Sequence, residues 1–216
     1  MSEPDGRGAA WTDAPKGRGA AWTEERGTRN ERRATREGGA VKGDGEVGGA
    51  PEAHSKQSHE AAGRIIALLT AREQTVAVAE SLTGGLLAAA LTSIPGASAA
   101  FRGAVVAYAI SLKATLLDVP RPMLDALGAV SPEVAAAMAE GVRRRLEATF
   151  GAATTGVAGP DPAEGKPVGT VHVAVSAACG TTVRTLALAG GRDEVRQRTV
   201  EAVLSLLLHR VREECS

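Results

Sequence analysis

The chain has 216 residues, and its 25 Lys and Arg balance 25 Asp and Glu, so its formal net charge is zero. Non-specific binding to nucleic acid or to acidic membranes needs a basic surplus, which this composition does not supply. Aromatic residues make up only 2% of the chain, which argues against a base-stacking surface. We therefore expect neither a nucleic-acid partner nor a membrane partner.

The first part of the chain differs sharply in composition from the rest. Residues 1–57 contain no Leu, Ile or Phe, so they cannot bury enough apolar surface to offset chain entropy. This predicts a disordered, low-complexity tail over 1–57 and a folded domain over 58–216. Within the tail, the sequence GRGAAWT occurs at 6–12 and again at 17–23, either as a short linear motif around each Trp or as mere low complexity. The N-terminus has no apolar leader and two cysteines cannot form a disulfide framework, so we expect a soluble, cytoplasmic protein.

The second part of the chain carries clear periodic signals. Apolar residues at helical spacing predict a first helix that Ser58 caps, and Ser131 followed by Pro132 marks the start of a long helix that Gly151 ends. Short apolar runs bounded by Gly and Pro predict strands. The predicted helices are 58–72, 85–93, one from Ser111 that ends before Pro120, 132–150 and 194–211, and the predicted strands are 75–79, 103–109, 152–157, 168–177 and 181–188.

The order of these elements predicts the fold class. Early strands separated by helices imply parallel crossovers, and the last two strands read as a hairpin around Cys179 and Gly180. We therefore expect an α/β protein, a three-layer α/β/α sandwich with a mixed, mainly parallel sheet and a C-terminal β-hairpin plus helix. In such sheets the ligand crevice lies beyond the strand ends.

Four polar segments fall at predicted strand ends: 79–85, 108–113, 154–160 and 190–193. Each has a plain structural explanation, since glycines form turns and Ser or Thr caps helices. The sequence contains neither a phosphate-binding P-loop motif nor a Gly-x-Gly-x-x-Gly dinucleotide motif. No histidine accompanies a hydroxyl in a triad pattern, and His172 alternates with Val in a strand, as a packed histidine does.

What remains is a hydroxyl together with an amine. A serine hydroxyl is a poor nucleophile at neutral pH and needs a base, and a lysine serves if burial lowers its pKa from about 10.4. A tyrosine can relay or orient the proton between them. N–H groups at a glycine-rich helix start can stabilise the oxyanion that amide attack creates.

Six motifs in one order resemble a known family. They are AESLTGG (79–85), AVVAY with Lys113 five residues after Tyr108, LGAVS (127–131), TGVAGP (155–160), KPVGTV (166–171) and GGRD (190–193). Together, over about residues 60–212, they resemble the CinA C-terminal domain family. That family includes nicotinamide-nucleotide amidohydrolases, which convert nicotinamide mononucleotide (NMN) to nicotinic acid mononucleotide and ammonia.

The resemblance implies a serine amidohydrolase that uses neither a metal nor a cofactor. It implies that Ser81 is the nucleophile, with Tyr108 and Lys113 as its proton-handling partners, and that Arg192 meets an anionic part of the nucleotide. The further substrate-binding positions that it implies are Thr83, Gly84, Gly85, Thr155 and Gly156.

Two alternatives to the enzyme remain open. Many family members read Tyr-Ser-Asn where this chain has Ile110 in third place, and this favours a catalytically weak nucleotide-binding or regulatory module. An interaction protein recruited through the two Trp repeats is a third hypothesis. We also expect a homodimer or higher homo-oligomer, built through the Ala-rich helix faces at 86–91 and 135–139.

Overall fold

The computed structural model describes residues 50–213, with side chains from residue 56 onward. The predicted tail up to residue 49, including both Trp repeats, lies outside the described residues. Within the described range, helices and strands alternate for most of the chain. The helices are α1 (Ala50–Ala71), α2 (Leu86–Thr92), α3 (Ile110–Leu117), α4 (Arg121–Leu127), α5 (Pro132–Arg145) and α6 (Arg192–Arg212). The strands are β1 (Val76–Glu80), β2 (Phe101–Val106), β3 (Phe150–Gly156), β4 (Thr170–Ala177) and β5 (Gly180–Ala187).

The five strands form one mixed sheet in the order β2-β1-β3-β4-β5. Strand β1 is parallel to both β2 and β3, whereas β4 is antiparallel to β3 and to β5. One apolar cluster joins α1, α2 and α6 to one face of the sheet, and a second joins α3, α4 and α5 to the other face. This confirms the predicted α/β/α sandwich with its C-terminal hairpin and helix.

The sheet register brings the four polar segments to one edge of the sheet, the one formed by the C-terminal ends of β1, β2, β3 and β5. Glu80, the last residue of β1, pairs with Val106 near the end of β2 and with Thr154 near the end of β3. Because β4 and β5 form a hairpin, the end of β5 returns to the same edge, where Ala187 pairs with Thr170. The turn at 188–191 then leads directly into α6.

Two predicted helix boundaries were wrong. Helix α1 begins at Ala50, so Ser58 lies inside the helix and does not cap it. Helix α5 ends at Arg145, and Phe150 is the first residue of β3. Gly151 therefore does not stop a helix; a Cβ there would overlap the Ala139 carbonyl, so glycine permits α5 to pack closely on β3.

Two further differences concern α4 and β2. Helix α4 was not predicted, and β2, whose apolar sequence is typical of a buried strand, is a half-exposed edge strand. In the stretch 135–139, which is expected to form an oligomer interface, Ala135 and Ala139 are buried against the sheet, whereas Ala136 and Ala137 are half-buried. Cys179 is disulfide-bonded. None of the helices in the described range is long and apolar enough to cross a membrane.

Candidate active site

Ser81 directly follows β1, and its backbone is fixed by the neighbouring strands. Its N–H donates to the Thr154 carbonyl of β3 at 3.1 Å, and on the other side the Ala107 N–H donates to the Glu80 carbonyl at 2.8 Å. The side chain is partly exposed, and its hydroxyl forms no hydrogen bond with any described residue. The structure thus places a free hydroxyl beyond the end of a central strand, where the ligand crevice of such sheets lies.

A buried carboxylate occupies the N-terminus of α2. Glu80 accepts hydrogen bonds from the N–H groups of Gly85, Leu87 and Ala88 at 2.9, 3.2 and 2.8 Å. A negative charge is stabilised there because the helix start carries unpaired N–H donors and the positive end of the helix dipole. The sequence analysis missed Glu80, although an acid at the junction of a strand and a glycine-rich helix start was the available signal.

Gly84 and Gly85 allow the backbone conformation of the turn that follows Ser81. Gly84 and Gly85 have φ values of 57° and 99°, in the region that favours glycine. The Gly84 N–H donates to the Ser81 carbonyl at 3.1 Å and the Gly85 N–H is held by Glu80. Both N–H groups therefore already have acceptors, and neither glycine presents a free donor to an anion.

Leu82 supplies the remaining backbone donor beside Ser81. The N–H groups of Leu82 and Thr83 donate to no described residue. Thr83 is fully buried, and its hydroxyl pairs with the Thr154 hydroxyl at 2.8 Å, so its side chain holds the turn to β3. The Leu82 N–H belongs to the peptide unit that directly follows Ser81, which makes it the better candidate for contact with the oxygen of a carbonyl that Ser81 attacks.

Lys113 is an amine inside the protein. It lies on α3 with 1% of its surface exposed, and its Nζ donates to the Ala107 carbonyl at 3.2 Å and lies 3.5 Å from Met138 Sδ. Burial lowers the pKa of Lys113 from 10.5 to about 8, while the Glu164 carboxylate acts in the opposite direction. A substantial fraction of this amine is therefore neutral near pH 8 and able to accept a proton.

Ala107 connects the amine to the strand that carries Ser81. Its carbonyl accepts from Lys113 and its N–H donates to Glu80, the residue before Ser81. Lys113 and Ser81 do not hydrogen-bond to each other in this structure. Since catalytic hydrogen bonds in free enzymes are often long and tighten only with substrate, this geometry is compatible with a base that engages Ser81 on binding.

Arg192 brings three of the predicted segments together. As the first residue of α6, it donates from Nη1 to the Gly159 carbonyl at 2.6 Å and from Nη2 to the Tyr108 hydroxyl at 3.1 Å. Tyr108 is 61% exposed, so this pair lies at the open side of the site. An exposed guanidinium beside a phenol can receive a phosphate or carboxylate.

Thr155 and Gly156, both predicted to bind substrate, make close contacts with neighbouring elements of the fold. The Thr155 hydroxyl donates to the Ala129 carbonyl at 2.7 Å, and the residue is buried. Glu164 holds the same loop by accepting from the Ala129 and Val130 N–H groups at 3.0 and 3.1 Å. A Cβ at Gly156 would crowd the Thr170 carbonyl, so this glycine permits close pairing with β4.

Arg196 was also missed by the sequence analysis. It lies one helical turn after Arg192 and donates from Nε to the Leu82 carbonyl and from Nη2 to the Thr83 carbonyl, each at 3.0 Å. Four-residue spacing from Arg192 places both side chains on one face of α6, which was the signal that could have identified it.

His172 lies on β4, where it pairs with Thr155. His172 is buried, its Nδ1 lies 2.9 Å from the Thr185 hydroxyl, and burial lowers its pKa. It is thus a packed histidine, as the strand pattern indicated. Among the residues that the structure describes, no three His, Cys, Asp or Glu side chains are grouped so as to hold a metal ion.

Sequence comparison identifies close relatives. The model of the CinA C-terminal domain matches residues 58–211. A CinA-like protein of Frankia casuarinae is 54% identical over 145 residues, which are 67% of this chain and 34% of that protein. A CinA-like protein of Parasynechococcus marenigrum is 48% identical over 150 residues, 68% of this chain and 36% of that protein. The chain therefore spans about a third of the length of these curated relatives.

Solved structures share the fold over nearly their whole length. The competence/damage inducible protein CihA from Agrobacterium tumefaciens is 39% identical with a TM-score of 0.70, covering 73% of this chain and 96% of that one. The competence damage-inducible protein A (ComA) from Klebsiella pneumoniae is 30% identical with a TM-score of 0.70, covering 73% and 98%. Since the family model spans more than half of the chain and these structures share its sheet, the chain belongs to the CinA C-terminal domain family.

Proposed function

We propose that this domain hydrolyses the amide of NMN in the cytoplasm, with Ser81 as nucleophile, and releases nicotinic acid mononucleotide and ammonia. The observation that carries the proposal is the buried Lys113, whose pKa of about 8 makes it a base near neutral pH at the strand edge that presents the free Ser81 hydroxyl. The match to the CinA C-terminal domain supports this choice of substrate class, because the sequence resembles the amidohydrolase members of that family.

In the first half-reaction Ser81 Oγ attacks the carboxamide carbon of NMN. The neutral Lys113 amine leaves the Ala107 carbonyl and accepts the hydroxyl proton, and the Leu82 N–H donates to the oxygen that becomes negative. When the tetrahedral intermediate collapses, the C–N bond breaks. The leaving amino group takes the proton from Lys113 and departs as ammonia, and an ester on Ser81 remains.

In the second half-reaction a water molecule replaces the amine. Lys113 accepts a proton from the water as its oxygen attacks the ester carbon, and it returns that proton to Ser81 Oγ as the ester bond breaks. The product leaves as the carboxylic acid of nicotinic acid mononucleotide, which loses its proton to solvent and becomes the carboxylate. One water is consumed and one ammonia is released per turnover.

Arg192 supplies the contact with the non-reacting part of the substrate. Its guanidinium is exposed beside Tyr108, and a phosphate can accept two parallel N–H donors from an arginine. Phosphate binding would replace or share its present bonds to Tyr108 and Gly159. The charge of the phosphate does not change in the reaction, so this contact contributes to binding rather than to the chemical step.

A second candidate is a nucleotide-binding module with little turnover. It is favoured by Ile110, which is 45% exposed at the start of α3 between Tyr108 and Lys113. An apolar side chain there offers no hydrogen bond to the substrate or to the lysine. The two functions share a binding site and differ in whether ammonia is released.

The test measures ammonia and nicotinic acid mononucleotide after incubation with NMN, and compares NMN with nicotinamide riboside, which lacks the phosphate. We expect equimolar release of both products from NMN, and a much higher KM for the riboside. Calorimetric binding of NMN without release of ammonia would support the binding module. Equal use of both substrates would contradict a phosphate contact.

A further inference from the structure

Arg196 reaches the turn that carries Ser81 from a different layer of the fold. It extends from α6 to the Leu82 and Thr83 carbonyls, at 3.0 Å in each case, and Asp193 lies 3.4 Å from its Nη1. About three quarters of its side chain is buried. A planar guanidinium has donors in a fixed fork, which suits it to hold two carbonyls at once.

The Leu82 carbonyl depends on this contact. Within the described residues it accepts no hydrogen bond other than that from Arg196, whereas the Thr83 carbonyl also accepts from the Leu86 N–H at 3.2 Å. An unpaired carbonyl beside a buried residue is costly, so without Arg196 this peptide would rotate toward another donor. The peptide unit is rigid, and its rotation would change the backbone angles at Leu82.

The other side of the turn is already fixed. The Ser81 N–H is bonded to β3, and the Thr83 hydroxyl is paired with that of Thr154. Arg196 fixes the next two peptide units, whose carbonyls belong to Leu82 and Thr83. The second of these units also carries the Gly84 N–H, which donates to the Ser81 carbonyl at 3.1 Å. The Ser81 carbonyl shares its peptide unit with the Leu82 N–H, so Arg196 acts on that N–H through Gly84.

We propose that Arg196 is a positioning residue that sets the Ser81 turn in its reactive conformation. It acts through the Leu82 and Thr83 carbonyls, and it aims the Ser81 hydroxyl and the Leu82 N–H at the carbon and oxygen of one substrate carbonyl. This inference rests on the proposed function of Ser81 as a nucleophile. It assigns no contact between Arg196 and the substrate.

The test compares three variants. Arg196→Ala removes both bonds, and Arg196→Lys keeps the charge but replaces the fork with a single ammonium. Arg102→Ala is the matched control, because Arg102 also donates from Nε to a loop carbonyl, that of Leu146, at the opposite end of the sheet. We expect Arg196→Ala to lower kcat about 100-fold with KM changed only a few-fold, since small misplacement of reacting groups has that effect. Arg102→Ala should keep normal kcat.

Labelling by a fluorophosphonate measures the same hydroxyl without NMN. Ser81 Oγ forms a bond to phosphorus and loses its proton, and fluoride leaves, so the rate depends on the Ser81 turn and not on nucleotide binding. We expect Arg196→Ala to slow labelling of Ser81 about as much as it lowers kcat. Methylguanidinium in millimolar concentration should restore part of the rate, which it would not do for a general loss of packing.

The outcomes separate this inference from the proposed function. Wild-type protein that is labelled at Ser81 but releases no ammonia from NMN would refute the proposed function. The ratio of the labelling rates of Arg196→Ala and Arg102→Ala would still decide the role of Arg196. Labelling of Arg196→Ala within about twofold of Arg102→Ala would overturn the inference. So would a wild type that is not labelled at Ser81. If Arg196→Ala does not fold, Arg196→Lys decides: normal labelling at an unchanged melting temperature overturns the inference, and at least about a tenfold loss supports it.

Discussion

The burial of Lys113 links its proposed role as a base to a cost in stability. Its amine is almost fully buried, with a carbonyl and a thioether as its hydrogen-bond partners and the Glu164 carboxylate as the charge that partly compensates. Burial disfavours the charged form, and this both lowers the pKa and makes the amine a usable base. The lowered pKa and the lost stability thus have one cause, burial, and they can be measured separately.

The pH dependence of kcat/KM for NMN tests the chemical role of Lys113. Because the base must be neutral, we expect kcat/KM to rise with pH up to about 8 and to level off above it, with only about one tenth of the base active at pH 7. Lys113→Arg should lose almost all activity, because its guanidinium stays protonated. A flat profile between pH 6 and 9, which spans the expected rise, would refute the assignment.

The free energy of unfolding tests the cost of Lys113. Since its folded-state pKa lies below its unfolded value, the folded state binds fewer protons between about pH 8 and 10.5, and stability rises with pH across that window. We expect Lys113→Met to stabilise the protein at pH 7 by on the order of 3 kcal/mol, and this gain should vanish toward pH 10.5. Urea titrations at both pH values measure it. A destabilised Lys113→Met at pH 7 would contradict the account.

At this scale the sequence predicted residue types better than contacts. The resemblance to the CinA C-terminal domain family pointed to Ser81 and Lys113, and the structure places both after strand ends, with Lys113 buried. Their catalytic roles stay predictions. Glu80 and Arg196 each had a local signal, but their hydrogen-bond partners could not be predicted, because those partners lie 7 and 113 positions away along the chain. The sequence indicated that Gly84 and Gly85 form a turn, but it did not indicate that the Glu80 carboxylate accepts a hydrogen bond from the Gly85 N–H.

At the scale of elements, the start of α6 organises the open side of the site. Its first turn carries Arg192 toward Tyr108 and its second turn carries Arg196 toward the Ser81 turn. The two roles that we propose, substrate contact for Arg192 and positioning of the Ser81 turn for Arg196, thus fall on residues one turn apart at one helix end. This division predicts different kinetic effects for the two arginines.

Arg192→Ala should act mainly on KM. In the proposed function its guanidinium contacts the phosphate, which keeps its charge, so the ground state and the transition state should lose the same binding energy. We expect KM for NMN to rise at least about tenfold with kcat changed less than threefold. Arg212→Ala, at the exposed far end of the same helix, is the control and should change neither. A fall in kcat at normal KM would instead place Arg192 in the chemical step.

The elements themselves were mostly predictable from periodicity, and the errors have physical causes. The apolar pattern of α5 continues through Leu146 to Phe150, so periodicity alone did not reveal where the helix ends. The chain turns at Glu147, which has a φ of 50°, and Phe150 then packs from β3 into the cluster on the other face of the sheet. The boundary of α5 is set by the pairing of β3 with its neighbouring strands, and the local apolar pattern carries no information about that pairing.

At the scale of the whole molecule, the exposed large apolar side chains gather around β2 and α3. Strand β2 is an edge of the sheet, and the helix that follows it exposes several apolar residues beside the site. The set comprises Val106, Tyr108, Ile110, Leu112, Leu116 and Leu127. An exposed apolar patch next to a free sheet edge is typical of an interaction surface.

We expect this surface, rather than the Ala-rich helix faces, to form a homodimer. Two-fold dimers are the commonest assembly, and association would remove the apolar α3 face from water. Light scattering at micromolar concentration should give a dimer for the wild type and a monomer for the double variant Leu112→Glu with Leu116→Glu. Ser98→Glu, an exposed position on another part of the surface, is the control for added charge. A monomeric wild type would contradict this expectation.

The most direct test of the whole account is the release of ammonia and nicotinic acid mononucleotide from NMN by wild-type protein and by Ser81→Ala, assayed side by side. We expect the wild type to form both products in equal amounts, and Ser81→Ala to lose at least about 10³-fold in kcat while it still binds NMN and keeps its melting temperature. Near-normal turnover by Ser81→Ala would show that Ser81 is not the nucleophile and would contradict the account at its centre.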